Sequence, residues 1–148
     1  MRTTNFLIAV LMIFTIVIFT ACANIRSIED AISQFRNAVN AEDIDSLTDT
    51  LSEDSVDFDP IIIQGFLDYF DGVRPLSYGE LTIIHTSDID ATVNTQATYF
   101  NNPTPVTVQF IMRKHEEVWK VRQYWDDWSG SFSNIWQKIG QTIILEGQ

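Results

Sequence analysis

Cysteine is almost missing from this chain: Cys22 is the only one among 148 residues. No disulfide can therefore form within it, and the fold has to rest on an apolar core. Basic residues are also scarce. Nine Lys and Arg face twenty Asp and Glu, for a formal net charge of −11. An acidic surface repels phosphate backbones and anionic headgroups, which argues against nucleic acid as a partner and against electrostatic membrane binding. Two histidines and one cysteine cannot supply a zinc site with ligand spacing. The aspartate pairs Asp43/Asp45, Asp57/Asp59 and Asp88/Asp90 lack the glycine and downstream glutamate of a calcium loop. There is no P-loop, dinucleotide fingerprint or nucleophile elbow, and no cofactor is implied. Repeats and low-complexity segments are absent too.

What is present begins at the N-terminus. Phe6 to Phe19 is an almost uninterrupted apolar run, preceded by Arg2 and followed by Thr20-Ala21-Cys22. Phe19-Thr20-Ala21-Cys22 resembles the lipobox of bacterial lipoproteins, in which a small residue precedes the cut and the cysteine receives the lipid. The resemblance implies a signal peptide over residues 1–21, recognised through Phe19, Thr20 and Ala21. Cys22 would then carry an anchor on a short tether, 22–26, holding the domain at a membrane of the cell envelope. Two other readings stay open. Ala21-Cys22-Ala23 also satisfies an A-x-A cleavage site, which would release a soluble secreted protein. The segment could also stay uncut, although Phe6–Ala23 only reaches the lower edge of the ~20 apolar residues that span a bilayer.

Beyond the tether, Ser27 with Asp30 three positions on reads as a capping-box-like start. Ile28, Ala31, Ile32, Phe35 and Val39 follow at helical spacing. Asn40 to Asp43 interrupts, and a shorter helix carries Ile44, Leu47 and Leu51. Ser55–Phe58 reads as a short strand. Asp59-Pro60 is an N-cap followed by proline at the first helical position, opening a helix with Ile62, Ile63, Phe66, Leu67 and Phe70. The period then changes to two. Leu81–Thr86 and Ile89–Phe100 are expected strands, the second with Ala91, Val93, Thr95, Ala97 and Tyr99 inward. Thr92, Asn94, Gln96 and Thr98 form its polar outer face, a possible surface for a homodimer. Val106, Val108, Phe110 and Met112 make the next inward row. In the last strand Trp119, Val121 and Trp125 are expected inside, alternating with Lys120, Arg122 and Tyr124. The tail, with Ile135, Trp136, Ile139 and Ile143, reads as a helix that Gly140 could end early.

Three helices followed by a long antiparallel meander resemble the nuclear-transport-factor-2-like superfamily, which has a cystatin-like α+β layout. Ala41 to Leu47 is similar to its acidic break between the first two helices. Val118-Trp119-Lys120-Val121 is similar to its W-K-[IV] start of the last strand. The resemblance covers residues 27–125 and leaves 126–148 as a C-terminal extension. It implies helices packed on a strongly curved sheet of four to five strands, a cone with an internal pocket. The candidate lining of that pocket is Phe35, Tyr69, His85, Tyr99, Phe110 and Trp119. Enzymatic members of the superfamily include isomerases, dehydratases and hydrolases. In its steroid isomerases a first-helix tyrosine donates to the enolate, and this chain's first helix has no tyrosine. Leu81, Ile83 and His85 share a strand face, so His85 beside Tyr69, Tyr99 or Asp90 is the one acid–base set the pattern suggests. His115 falls at a hairpin turn and reads as solvated. The aromatic residues Trp119, Tyr124, Trp125, Trp128, Phe132 and Trp136 either close the cone or face a partner, a ligand or the membrane interface. On balance the sequence favours a binding domain, for a protein partner or a small apolar ligand, over a small-molecule enzyme.

Overall fold

The computed structural model describes residues 26–54 and 59–146, with side chains as far as 142. The lipobox with Cys22 and the expected strand at 55–58 lie outside the described residues. Three helices come first: α1 (Ile28–Ala41), α2 (Ile44–Thr50) and α3 (Pro60–Tyr69). Six strands follow, β1 (Leu76–Tyr78), β2 (Thr82–His85), β3 (Asp90–Tyr99), β4 (Asn102–His115), β5 (Val118–Asp126) and β6 (Ser133–Asn134), and then α4 (Ile135–Glu146). Among the described residues, no helix is long and apolar enough to cross a membrane.

The helix starts follow from side-chain caps. Ser27 Oγ accepts from the Asp30 amide at 3.1 Å, Asp43 accepts from the Ser46 amide at 3.0 Å, and Asp59 accepts from the Ile61 amide at 2.9 Å. Each satisfies one of the amides that a helix N-terminus leaves without a partner. α1 ends where Glu42 turns left-handed, at φ 57°. Its stripe of Ile28, Ala31, Ile32, Phe35, Ala38 and Val39 is fully buried, and such a stripe makes the helix a wall of the core rather than a free amphipath.

All six strands form one antiparallel sheet in the order β1-β3-β4-β5-β6, with β2 also pairing to β3. The expected count of four to five strands is low because β1 and β6 are three and two residues long, too short to show alternation. β1 is held to α1 by an amide pair. The Asn40 side chain donates to Leu76 O and accepts from Leu76 N, both at 2.9 Å, standing in for a neighbouring strand. Arg74 ties the helix ends together, donating to Leu67 O at 3.1 Å and pairing with Glu42 at 2.9 Å.

The inward rows of β3 and β4 are as the alternation predicts. β5 departs from it. Met112 pairs with Val121 while Ile111 pairs with Gln123, so Arg122 is an extra residue in a β-bulge. The bulge reverses the phase of everything after it. Tyr124 and Asp126 are buried and Trp125 lies on the outer face, the reverse of the expected order. α4 also runs past Gly140 without a break, packing on α3 and β5.

Candidate functional site

Phe35 is the hub of the interior. Its ring lies 5.6 Å from Phe66, 5.5 Å from Phe110 and 5.7 Å from Tyr124, each measured between centroids. Trp136 of α4 stacks on Phe66 at 3.8 Å, and Trp128 meets Tyr99 edge-on at 4.3 Å. Of the candidate pocket lining, Phe35, Phe110 and Tyr99 lie in the core, where they pack against other side chains. Phe35, Phe110 and Tyr99 are buried in one cluster, with Tyr69 packed against its margin. Trp119 is buried too, at the other end of β5.

His85 does not join them. It ends a four-residue strand, is exposed, and its ring lies 5.7 Å from that of Trp119 between centroids. Asp90, considered as its partner, instead accepts from Arg113 Nε at 2.7 Å. Tyr69 and Tyr99 turn toward a different acid. That acid is Asp126, the first residue of the expected C-terminal extension, which the sequence does not single out.

Asp126 is fully buried. Its Oδ1 accepts from Tyr69 Oη at 3.0 Å and from the Trp128 amide at 3.2 Å, while Oδ2 has no hydrogen-bond partner among the described residues. Burial pushes its pKa up to about 6, against the lowering effect of the Tyr69 hydroxyl, the Trp128 amide and Lys138. The hydroxyls of Tyr78, Tyr99 and Tyr124 are also buried without a well-formed hydrogen bond. These three and Tyr69 are all the tyrosines of the chain. They are close enough that Asp126 raises the pKa of each, in every case behind burial as the larger cause. The Tyr124 hydroxyl is the polar neighbour of the Tyr78 and Tyr99 hydroxyls, whereas a buried polar atom without a partner, as Asp126 Oδ2 is among the described residues, costs roughly 1–3 kcal/mol and asks for a role. The cluster's signal in the sequence was weak: Tyr99 fell on an inward row, but Tyr124 and Asp126 are inside only because of the bulge.

Tyr69 links this cluster to the surface. It lines a groove of about 660 Å³ between α2, α3 and α4. Ile44, Pro60, Ile61 and Ile139 give the groove apolar walls, and Gln64, Asp68 and Lys138 supply polar groups. Ile61 is 61% exposed, an uncovered apolar side chain on a helix that buries Ile63, Phe66 and Leu67.

A second polar cluster lies nearer the β4–β5 hairpin. Asp54 Oδ2 is 3.4 Å from Arg113 and 3.3 Å from Arg122. Ser52 Oγ bonds to the other oxygen of Asp54 and is 2.6 Å from His115 Nε2. The Ser52 hydroxyl, followed by Arg122 and Arg113, holds the Asp54 carboxyl below the usual carboxylate range. His115 is therefore part of a network, where the sequence suggested a solvated turn. The serine hydroxyl lies between the aspartate and the histidine, so the aspartate bonds to the serine and not to the far ring nitrogen of the histidine as in a catalytic triad. Among the described residues no group of three or more His, Cys, Asp or Glu side chains could hold a metal.

No family model and no curated protein matches the chain. Solved structures do. A protein of unknown function with a cystatin-like fold from Nostoc punctiforme is 16% identical, with a TM-score of 0.52, covering 66% of this chain and 84% of its own. A candidate aromatic ring hydroxylase from Novosphingobium aromaticivorans is 19% identical, also at 0.52, covering 72% and 90%. A nuclear-transport-factor-2-like protein of unknown function from Shewanella baltica aligns more loosely, at 0.43 and 19% identity, covering 64% and 85%. At such identities the likeness is one of fold, and the fold is cystatin-like α+β.

Proposed function

We propose that this chain is an exported lipoprotein, anchored through Cys22, whose domain holds a small and largely apolar molecule in the groove between α3 and α4. The observation that carries the binding reading is the groove itself, with Tyr69 in its wall hydrogen-bonded to the buried Asp126. Its volume falls in the range of about 300–1,000 Å³ typical of small-molecule sites. Apolar walls with a few polar groups are the usual composition of such a site: the walls supply affinity, and the polar groups orient the ligand. The neutral probe N-phenyl-1-naphthylamine should bind with enhanced fluorescence. The variant carrying Ile61→Glu and Ile139→Glu should bind it at least tenfold more weakly while keeping its far-UV spectrum. Equal binding by both proteins would sink the groove reading. The anchor is tested separately, by metabolic labelling with an alkyne fatty acid: label retained in Cys22→Ala overturns it.

One observation favours a second reading, a small-molecule enzyme with Asp126 in place of His85. A buried carboxyl that titrates near pH 6 is matched to general acid–base work, and tyrosine hydroxyls nearby could donate to a developing oxyanion. Asp126→Asn would then abolish proton exchange at carbon in a bound ketone without weakening its binding. If such exchange is absent from the wild type, the binding module stands alone. Self-association through the polar outer face of β3 is a further proposal, and sedimentation equilibrium reports on it directly.

A further inference from the structure

The bulge that buries Tyr124 turns Trp125 outward, and Phe132 meets it there. The two rings stack at 5.6 Å with an interplanar angle of 24°. Trp125 Nε1 donates to Gln123 Oε1 at 3.1 Å, which fixes the indole, and Phe132 is 46% exposed. Beside the pair is a depression of about 360 Å³, lined also by Ser131, Asn134, Gln137 and Gln141. Gln137 and Gln141 are one helical turn apart on α4, so their amides project along one face. No carboxylate lines the depression. Although the chain has twenty acidic residues, none occurs from Trp128 to Leu145.

We propose that this surface is a binding site for a neutral pyranose sugar, presented as a unit of a glycan. A pyranose has one face of C–H groups and a rim of hydroxyls. The exposed ring of Phe132, backed by Trp125, suits the first, and the serine hydroxyls and the Asn and Gln amides suit the second. The charge pattern discriminates against other occupants. With Lys138 as its sole charged liner, the site lacks the cations that a nucleic-acid strand needs. Two aromatic side chains with a polar surround are also far short of the roughly 800 Å² per partner of a stable protein interface. The site shares Lys138 with the α3–α4 groove but no other lining residue, and it does not depend on the reading given to that groove.

Saturation-transfer NMR on the full chain with cellotriose, maltotriose and chitotriose is the direct test. At least one should receive saturation at its ring C–H protons and bind in the millimolar range or tighter. Phe132→Ala and Gln137→Ala should each weaken that binding at least fivefold, and Ile61→Glu in the groove should leave it unchanged. Phe132 is half exposed, so its removal is not expected to unfold the domain, and the amide spectrum checks this. No transfer to any of the three sugars, or transfer unaffected by both site variants, overturns the proposal. A concentration-dependent dimer that Phe132→Ala abolishes would overturn it in favour of an interface between copies.

Discussion

Asp54 and Asp126 give the same side chain two opposite characters. Asp54 is met by guanidinium groups on β4 and β5 and by a serine hydroxyl, and stays partly open to water, 38% exposed. Asp126 has one phenol and one amide for partners, lies among aromatic rings and sees no water. The first is held ionised below the usual range and the second is pushed toward neutrality. The lesson is that partners alone do not set the direction. Asp126 does accept hydrogen bonds, but desolvation outweighs them because no full positive charge faces it closely.

The strongest way to break this contrast is to wet the dry end. Phe66 packs on Phe35, Phe70, Tyr124 and Trp136. Phe66→Ala should cost about 3–5 kcal/mol in denaturant unfolding. It should also let the Asp126 pKa fall back toward the ordinary value, as read by carboxyl carbon NMR titration. Next comes the charge itself. The folded Asp126 titrates near 6 and the unfolded group near 4, so the folded state carries the extra proton between them. Stability should therefore fall as pH rises through that window. Asp126→Asn should stabilise the domain by about 1–3 kcal/mol at pH 7.5, with the gain fading as pH falls toward 4. A variant less stable at pH 7.5 would show that the ionised form is welcome there.

The opposite sign is expected at Asp54. Its folded pKa is lowered, so its contribution is present above the unfolded value and is lost as pH falls through the folded one. Because the group is partly exposed, screening limits the effect. Asp54→Asn should cost about 1 kcal/mol at low salt, less in molar sodium chloride, measured by urea unfolding at two ionic strengths. The smallest effect sharpens the comparison by touching neither acid. A Cβ on Gly140 would rest 3.9 Å from Ile62 Cδ1, an ordinary contact. Gly140→Ala should raise stability by about 0.5 kcal/mol through helix propensity and shift neither carboxyl resonance.

The two ends also differ in how far the sequence exposes them. Ser27, Asp43 and Asp59 announce their helices because a cap is a local device, and β3 and β4 show their inward rows because alternation is unbroken there. Of the Asp126 site, only Tyr69 and Tyr99 were legible. Nothing in the local pattern around Asp126 says that Tyr69 of α3, 57 residues away, will bond to it in the interior. His85 failed for the complementary reason. Its place on an apolar strand face was read correctly, but a strand that ends there leaves its last side chain uncovered. The Asp54 network joins residues some sixty positions apart, a pairing that no periodicity carries.

Arg122 has a consequence for how relatives of this chain ought to be matched. A strand with one surplus residue keeps its neighbours in sequence but swaps their addresses. A relative without that codon would carry, at the columns of Tyr124 and Asp126, residues that face water, and its buried acid would stand one column away. Columns aligned by letters would then average an interior acid with an exterior one, blurring both. Matching β5 by face, with the surplus residue set aside, would restore the signal.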